Sequence, residues 1–303
     1  RSLANLFFSP FTVCVALSAC VKSDKIIFEN DATYVSRRPP FEQRLFTSKL
    51  VEKEINKVAK KIIDPKLRWL FINCFPNTLD TTVKFRIRDG HPDTFVITGD
   101  INAMWLRDSS AQVQNYLSLA AKDNDLKEMI KGLISRQLDC ILLDPYANAF
   151  NDGPTGNGWQ SDGTRMCKDV HERKWEIDSL CYPIRLIYLY WKATGDTSIF
   201  TAKWEKAMAL VLKTFQEQQR KESEGPYSFE RHTGNAIGTL VNRTGNPVNP
   251  VGMVVSCFRH RMMLQFLAFW FHRICLLLPL CVSFLKLSEP PVTERIYLIR
   301  QNV

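Results

Sequence analysis

Apolar residues recur three to five positions apart in segment after segment of this chain, and that spacing commits most of it to amphipathic helices packed on one another. Leu45, Phe46, Val51, Ile55, Val58 and Ile62 keep the rhythm from Phe41 onward, with Glu and Lys between them. Asp64-Pro65 starts a second helix at Pro65, which carries Leu67, Leu70 and Phe71 and is closed by Pro76. The same spacing predicts helices over 108–121, 125–143, 176–193 and 197–220. One stretch breaks the rhythm. Val83, Phe85 and Ile87 alternate with Lys84, Arg86 and Arg88, and Asp89-Gly90 then leads into Phe95-Val96-Ile97, the pattern of a small β-hairpin.

The hairpin delivers Gly99 to Gln114, where Asp100, Trp105, Arg107 and Asp108 fall within ten residues. Asp108 stands just before the apolar series Val113, Tyr116, Leu117 and Ala120, so it reads as a helix N-cap. Read alone, the stretch is either a capped helix with an Arg–Asp ion pair and a buried Trp, or a sugar-recognising loop. An indole face, a planar donor fork and carboxylate acceptors are what the C–H face and vicinal hydroxyls of a hexose require. A second polar loop, 144–169, has Gly153, Gly156, Gly158 and Gly163 punctuating a run that includes Trp159, Gln160 and Asp162. A loop of that length inside a folded unit is a connector or a binding loop, and Trp159 favours binding. Glu176 and Asp178 open the following helix. There they either complement its dipole or accept from sugar hydroxyls, and a spacing of two places them on different faces.

Four stretches together carry a resemblance: 99–109 (Gly-Asp-Ile-Asn-Ala-Met-Trp-Leu-Arg-Asp-Ser), 156–162 (Gly-Asn-Gly-Trp-Gln-Ser-Asp), 175–183 (Trp-Glu-Ile-Asp-Ser-Leu-Cys-Tyr-Pro) and 249–259 (Asn-Pro-Val-Gly-Met-Val-Val-Ser-Cys-Phe-Arg). In this order, within Arg38 to Arg259, they resemble the glycoside hydrolase family 125 α-mannosidases, also called the meiotically up-regulated gene 157 family. The resemblance implies an all-α, (α/α)6 toroid, here incomplete and with a small β-hairpin, and metal-independent, inverting exo-hydrolysis of α-1,6-linked mannose. Helix pairs joined by motif-bearing loops suit such a toroid, with its site at one mouth. It also implies an α-mannoside glycan as partner, no cofactor, no metal, and substrate-binding roles for Trp105, Arg107, Asp108, Trp159, Gln160, Asp162, Glu176, Asp178 and Arg259.

After Arg259 the text changes. Family members continue with Pro-Ser-Asp-Asp-Ala and later Pro-(Ser/Ala)-Asn-Met-Phe-Ala. Rereading from the third base of the Arg259 codon turns His260, Arg261, Met262 and Met263 into Pro-Ser-Asp-Asp, and turns Phe271 to Leu276 into Pro-Ser-Asn-Met-Phe-Ala. The chain therefore reads as truncated or frameshifted after Arg259. The general acid that the resemblance places in the Asp-Asp segment, and the base in a later Glu-containing stretch, have no counterpart here. No catalytic residue is assigned.

The expected organisation is a signal- or anchor-like segment and linker (1–40), a partial mannosidase-like helical toroid (41–259) and an out-of-frame apolar tail (260–303). Leu3–Val21 is apolar, follows Arg1 and ends in Ala-Leu-Ser-Ala-Cys, so it reads as a secretory signal or membrane anchor, or else as a buried helix. The alternative to an enzyme is a non-catalytic mannoside-binding or membrane-anchored protein, held by residues 3–21 or by the apolar run 264–285. Secretory-pathway or extracellular location follows from the signal, and Asn242-Arg243-Thr244 would then be a glycosylation acceptor. The formal charge of +9 raises nucleic acid as a partner. Lys49, Lys53, Lys57, Lys60 and Lys61, however, alternate with Glu52 and Glu54 along a solvated helix face, so no nucleic-acid partner is expected. Nine cysteines without a C-x-x-C pair disfavour zinc, and apolar surroundings predict that Cys74, Cys140 and Cys181 are buried free thiols.

Overall fold

Helix forms later than the periodicity from Phe41 predicts. In the computed structural model, which describes residues 34–232 and 238–259 and the backbone at 263–264, Phe41–Gln43 make a single 3-10 turn and helix α1 spans Lys49–Ala59. Leu45 and Phe46 instead donate their amides to Asp80 and Leu79. Ser48 caps α1 by accepting from the Val51 amide. Helix α2, Pro65–Cys74, begins as expected with Asp64 as its cap and Pro65 in its first turn. Helix α3, Asn77–Thr81, follows. Arg38 ties this corner together, donating to Asp80 at 2.7 Å and Glu52 at 2.9 Å.

Strands β1 (Val83–Arg88) and β2 (His91–Val96) form the antiparallel hairpin, in register from Val83↔Val96 to Arg88↔His91. Asp89 and Gly90 both have positive φ, as a two-residue primed turn requires. The hairpin lies on the long helix α6, Asn124–Leu143, described below with its neighbours. Thr94 donates to the Met129 carbonyl at 2.6 Å. A Cβ on Gly132 would stand 2.6 Å from the Thr94 hydroxyl, so glycine is what lets strand and helix approach this closely.

The remaining helices are α4 (Leu106–Gln114), α5 (Leu117–Ala120), α7 (Ile177–Thr194) and α8 (Ala202–Glu217). Helix α7 packs on α4, α5 and α6, and α8 packs on α6, so the core is a set of helix–helix seams. Leu126, Ile130, Leu133, Leu180, Ile187, Tyr190 and Trp204 fill them. Among the described residues no helix is long and apolar enough to cross a membrane. The expectations for residues 3–21 and for the apolar run 264–285 fall outside the described residues, apart from the backbone of Leu264. Cys140 and Cys181 are buried free thiols, but Cys74 is exposed, because it lies on an outward face of α2, a helix with no buried residue.

Candidate functional site

Three short strands that the sequence did not reveal set up the site. Strand β3 (Met104–Trp105) pairs with β4 (Ala149–Phe150), and β4 pairs with β5 (Val170–Glu172), so the middle of the 144–169 loop's entry and exit is stitched to the motif at 99–109. The strand runs straight into the helix. Leu106 donates its amide to Asn148 at 3.1 Å, and α4 begins there, one residue after extended Trp105. Asp108 is therefore not the N-cap but the third residue of α4, because sheet pairing, not a side-chain cap, decides where the helix starts. Gln137 of α6 fixes that first turn by donating to the hydroxyls of Ser109 at 2.8 Å and Ser110 at 2.9 Å.

Arg107 projects from this fixed turn toward the start of α7. Its Nη1 donates to Glu176 Oε2 at 2.9 Å and to Asp178 Oδ2 at 3.4 Å, and its Nη2 lies 3.0 Å from Asp108 Oδ2 in an ion pair without hydrogen-bond alignment. The expectation that Glu176 and Asp178 face apart is thus corrected. Glu176 is the extended N-cap residue of α7, outside the helical period, so both carboxylates turn onto one guanidinium. Glu176 is seated from both sides. Trp175 donates from its backbone to the Tyr227 hydroxyl at 3.0 Å and from its indole to the Val255 carbonyl at 2.7 Å, and the Ile177 amide donates to Ser256 at 3.2 Å.

Asp162 belongs to a second cluster. Both its oxygens accept from Arg231, at 2.8 and 2.6 Å, and Arg231 also donates to Glu172 at 2.9 Å. Glu172 takes a further hydrogen bond from Asn148 at 3.0 Å, and Lys174 stands 3.8 Å away. Arg231 lies 3.9 Å over the indole of Trp159, leaving that residue 43% exposed. Gln160 serves the loop itself, donating to the carbonyls of Val170 and Asn157. Trp105 is buried, with its ring edge-on to His171 at 5.5 Å. Arg259 ends strand β6 (Phe258–Arg259), which pairs with β7 (Met263–Leu264), and only its backbone is described. Glu172, Lys174 and Arg231 were missed because each is paired with a residue distant in sequence or buried without any local pattern.

The electrostatics follow from burial with unequal charge. Burial, then the neighbouring charge of Asp178, pushes the Glu176 carboxyl up to about 8. Burial alone would lower Arg107, yet Glu176, Asp178 and Asp108 together hold it above the ordinary guanidinium value. Burial lowers Lys174 and His171, against the opposing charge of Glu172. Three carboxylates around one guanidinium make a polar, mostly dry cluster with acceptor capacity to spare.

The sequence matches the profile of the metal-independent α-mannosidases (GH125) over residues 64–268. It is 39% identical over 242 residues to the meiotically up-regulated gene 157 protein of Schizosaccharomyces pombe, a match covering 74% of this chain and 48% of that protein. It is also similar to a solved Streptococcus pneumoniae metal-independent α-mannosidase in a non-productive complex with α-1,6-mannobiose. That match has 35% identity and a TM-score of 0.74, and covers 85% of this chain and 62% of the other. The chain thus spans about half the length of the curated relative it matches. Its helix-rich fold with a small antiparallel sheet is that of the α/α toroid of these enzymes, and the chain belongs to the metal-independent α-mannosidase family GH125.

Proposed function

We propose that this chain binds an α-mannoside glycan at the Arg107 cluster and, in the form given, does not hydrolyse it. The observation that carries the reading is the buried Arg107 fork held among Glu176, Asp178 and Asp108, with Glu176 Oε1 lacking a hydrogen-bond partner among the described residues. Such a group is completed by ligand hydroxyls, since a vicinal diol both donates and accepts. The half-exposed indole of Trp159 offers an apolar face at the edge of the neighbouring cluster. The mannobiose held by the S. pneumoniae relative supports an α-1,6-linked mannoside as the probe.

Inverting hydrolysis needs one carboxylic acid for the leaving oxygen and one carboxylate for the water. The family resemblance puts these in the segments that the sequence loses after Arg259. Asp108, Asp178 and Asp162 are engaged by guanidinium groups and fit holding roles. Entry to the secretory pathway through residues 3–21 belongs to the same reading. Calorimetric titration with α-1,6-mannobiose, followed by product analysis of the same sample, tests it. Saturable binding without released mannose is expected, and a version with the reading frame restored after Arg259 gains turnover. Mannose release by the chain as given overturns the inactive assignment, and absence of binding overturns the site.

A further inference from the structure

Glu176 is one of the fully buried carboxyl groups of the candidate site. Its side chain is wholly buried, Oε2 accepts from Arg107, and Oε1 has no hydrogen-bond partner among the described residues. A dry, bare carboxylate oxygen is costly unless it is neutralised. Arg107 is already divided, because Asp178 Oδ2 stands 3.4 Å from the same Nη1 and Asp108 Oδ2 stands 3.0 Å from Nη2. From the β5 side comes Glu172, itself offset by Arg231 at 2.9 Å and Lys174 at 3.8 Å. The charged groups facing Glu176 are therefore Arg107 and Asp108 of α4, Asp178 of its own helix, and Glu172 and Lys174 of β5 and its continuation. Carboxylates outnumber the cation that serves them, and a proton is the simplest way to settle the excess.

We propose that Glu176 meets the glycan as a neutral carboxylic acid, its Oε1 hydroxyl donating to a sugar oxygen while Oε2 goes on accepting from Arg107. The proposal rests on the mannoside reading above. A carboxylate only accepts, whereas the acid also donates, so the site presents donors on Arg107 and Glu176 and acceptors on Asp108 and Asp178. That alternation suits neighbouring ring hydroxyls. It also makes binding depend on a proton that the upward-shifted carboxyl keeps at neutral pH and releases in alkali.

The test is the affinity for α-1,6-mannobiose as a function of pH. Between pH 7 and pH 9 it should weaken about tenfold, the factor for titrating a required proton one unit beyond its pKa. Glu176→Gln, which is neutral and isosteric and keeps a donor, should bind as the parent does at pH 6 and lose the pH dependence. Asp178→Asn removes the neighbouring charge that raises Glu176, so the loss of affinity should move to lower pH. A flat parent profile, or a folded Glu176→Gln protein that no longer binds at pH 6, overturns the proposal. Infrared difference spectra of the unliganded parent between pH 6 and pH 9 give a readout that needs no variant: loss of a carboxylic-acid C=O band is expected, and its absence overturns the proposal. If the parent binds no mannobiose at any pH while that band titrates, the mannoside reading has failed and the proton assignment stands.

Discussion

Arg107 is a planar fork with each prong engaged, and this makes it hard to replace. Lysine brings one point charge that cannot serve Glu176 and Asp178 from one nitrogen while facing Asp108 from another. Arg107→Lys should weaken mannobiose binding about ten- to a hundredfold, the loss of one charge-assisted contact at roughly 1.5–3 kcal/mol, with helix content retained by circular dichroism. Because Asp108 is not the cap of α4, Asp108→Asn removes no cap, and its effect should fall on affinity with the thermal midpoint nearly unchanged. Asp162 should behave in the opposite way. It holds Arg231 with both oxygens in a buried pair, so Asp162→Asn should cost about 3–5 kcal/mol in urea unfolding. The residue types of the Arg107 cluster were legible in the sequence. Their grouping was not, since Arg107 meets Glu176 across 69 positions, and the β3–β4–β5 sheet together with the packing of α7 on α4 brings the two motifs together.

Elements were legible where a local signal governs them. Asp64-Pro65 starts α2 because the carboxylate accepts from Leu67 and proline is pre-set for the first turn. Asp89-Gly90 turns the hairpin because both positions need positive φ. Helix α7 ends at Gly195 in the left-handed conformation. The two- and three-residue strands β3, β4 and β5 had too few positions to alternate, and they moved the start of α4 two residues ahead of the expected cap. The 144–169 loop, whose glycines suit a connector and whose Trp159 favours a binding loop, is tied to the sheet: the Trp159 amide donates to the His171 carbonyl at 2.9 Å, and Asn151 donates to the carbonyls of Asn157 and Lys168. Gly158 is the hinge of that attachment, with φ +95 and a Cβ position 2.2 Å from the His171 oxygen. Gly158→Ala should therefore displace Trp159 and destabilise the protein by roughly 1–3 kcal/mol, checked by chemical denaturation and by the Trp fluorescence maximum.

At the scale of the whole molecule, one exposed apolar stripe among the described residues runs from Ile63 onto α2. Ile63 is 79% and Leu67 54% exposed, and Leu70 continues the same stripe at helical spacing. Such a face drives self-association, so the purified chain should elute as oligomers and bind a hydrophobic dye, and Leu67→Lys with Leu70→Lys should shift it toward monomer in light scattering. The seating of Glu176 has a further consequence, in time instead of space. Trp175 and Ile177 find their partners at Val255 and Ser256, 80 and 79 residues downstream. On a ribosome α7 can coil as soon as it emerges, but the residues that seat its first turn are made about 4–16 s later at roughly 5–20 residues per second. The seat of Glu176 is thus completed late, and a chain halted before Val255 holds the described helices around Glu176 without the Val255 and Ser256 partners of its neighbours.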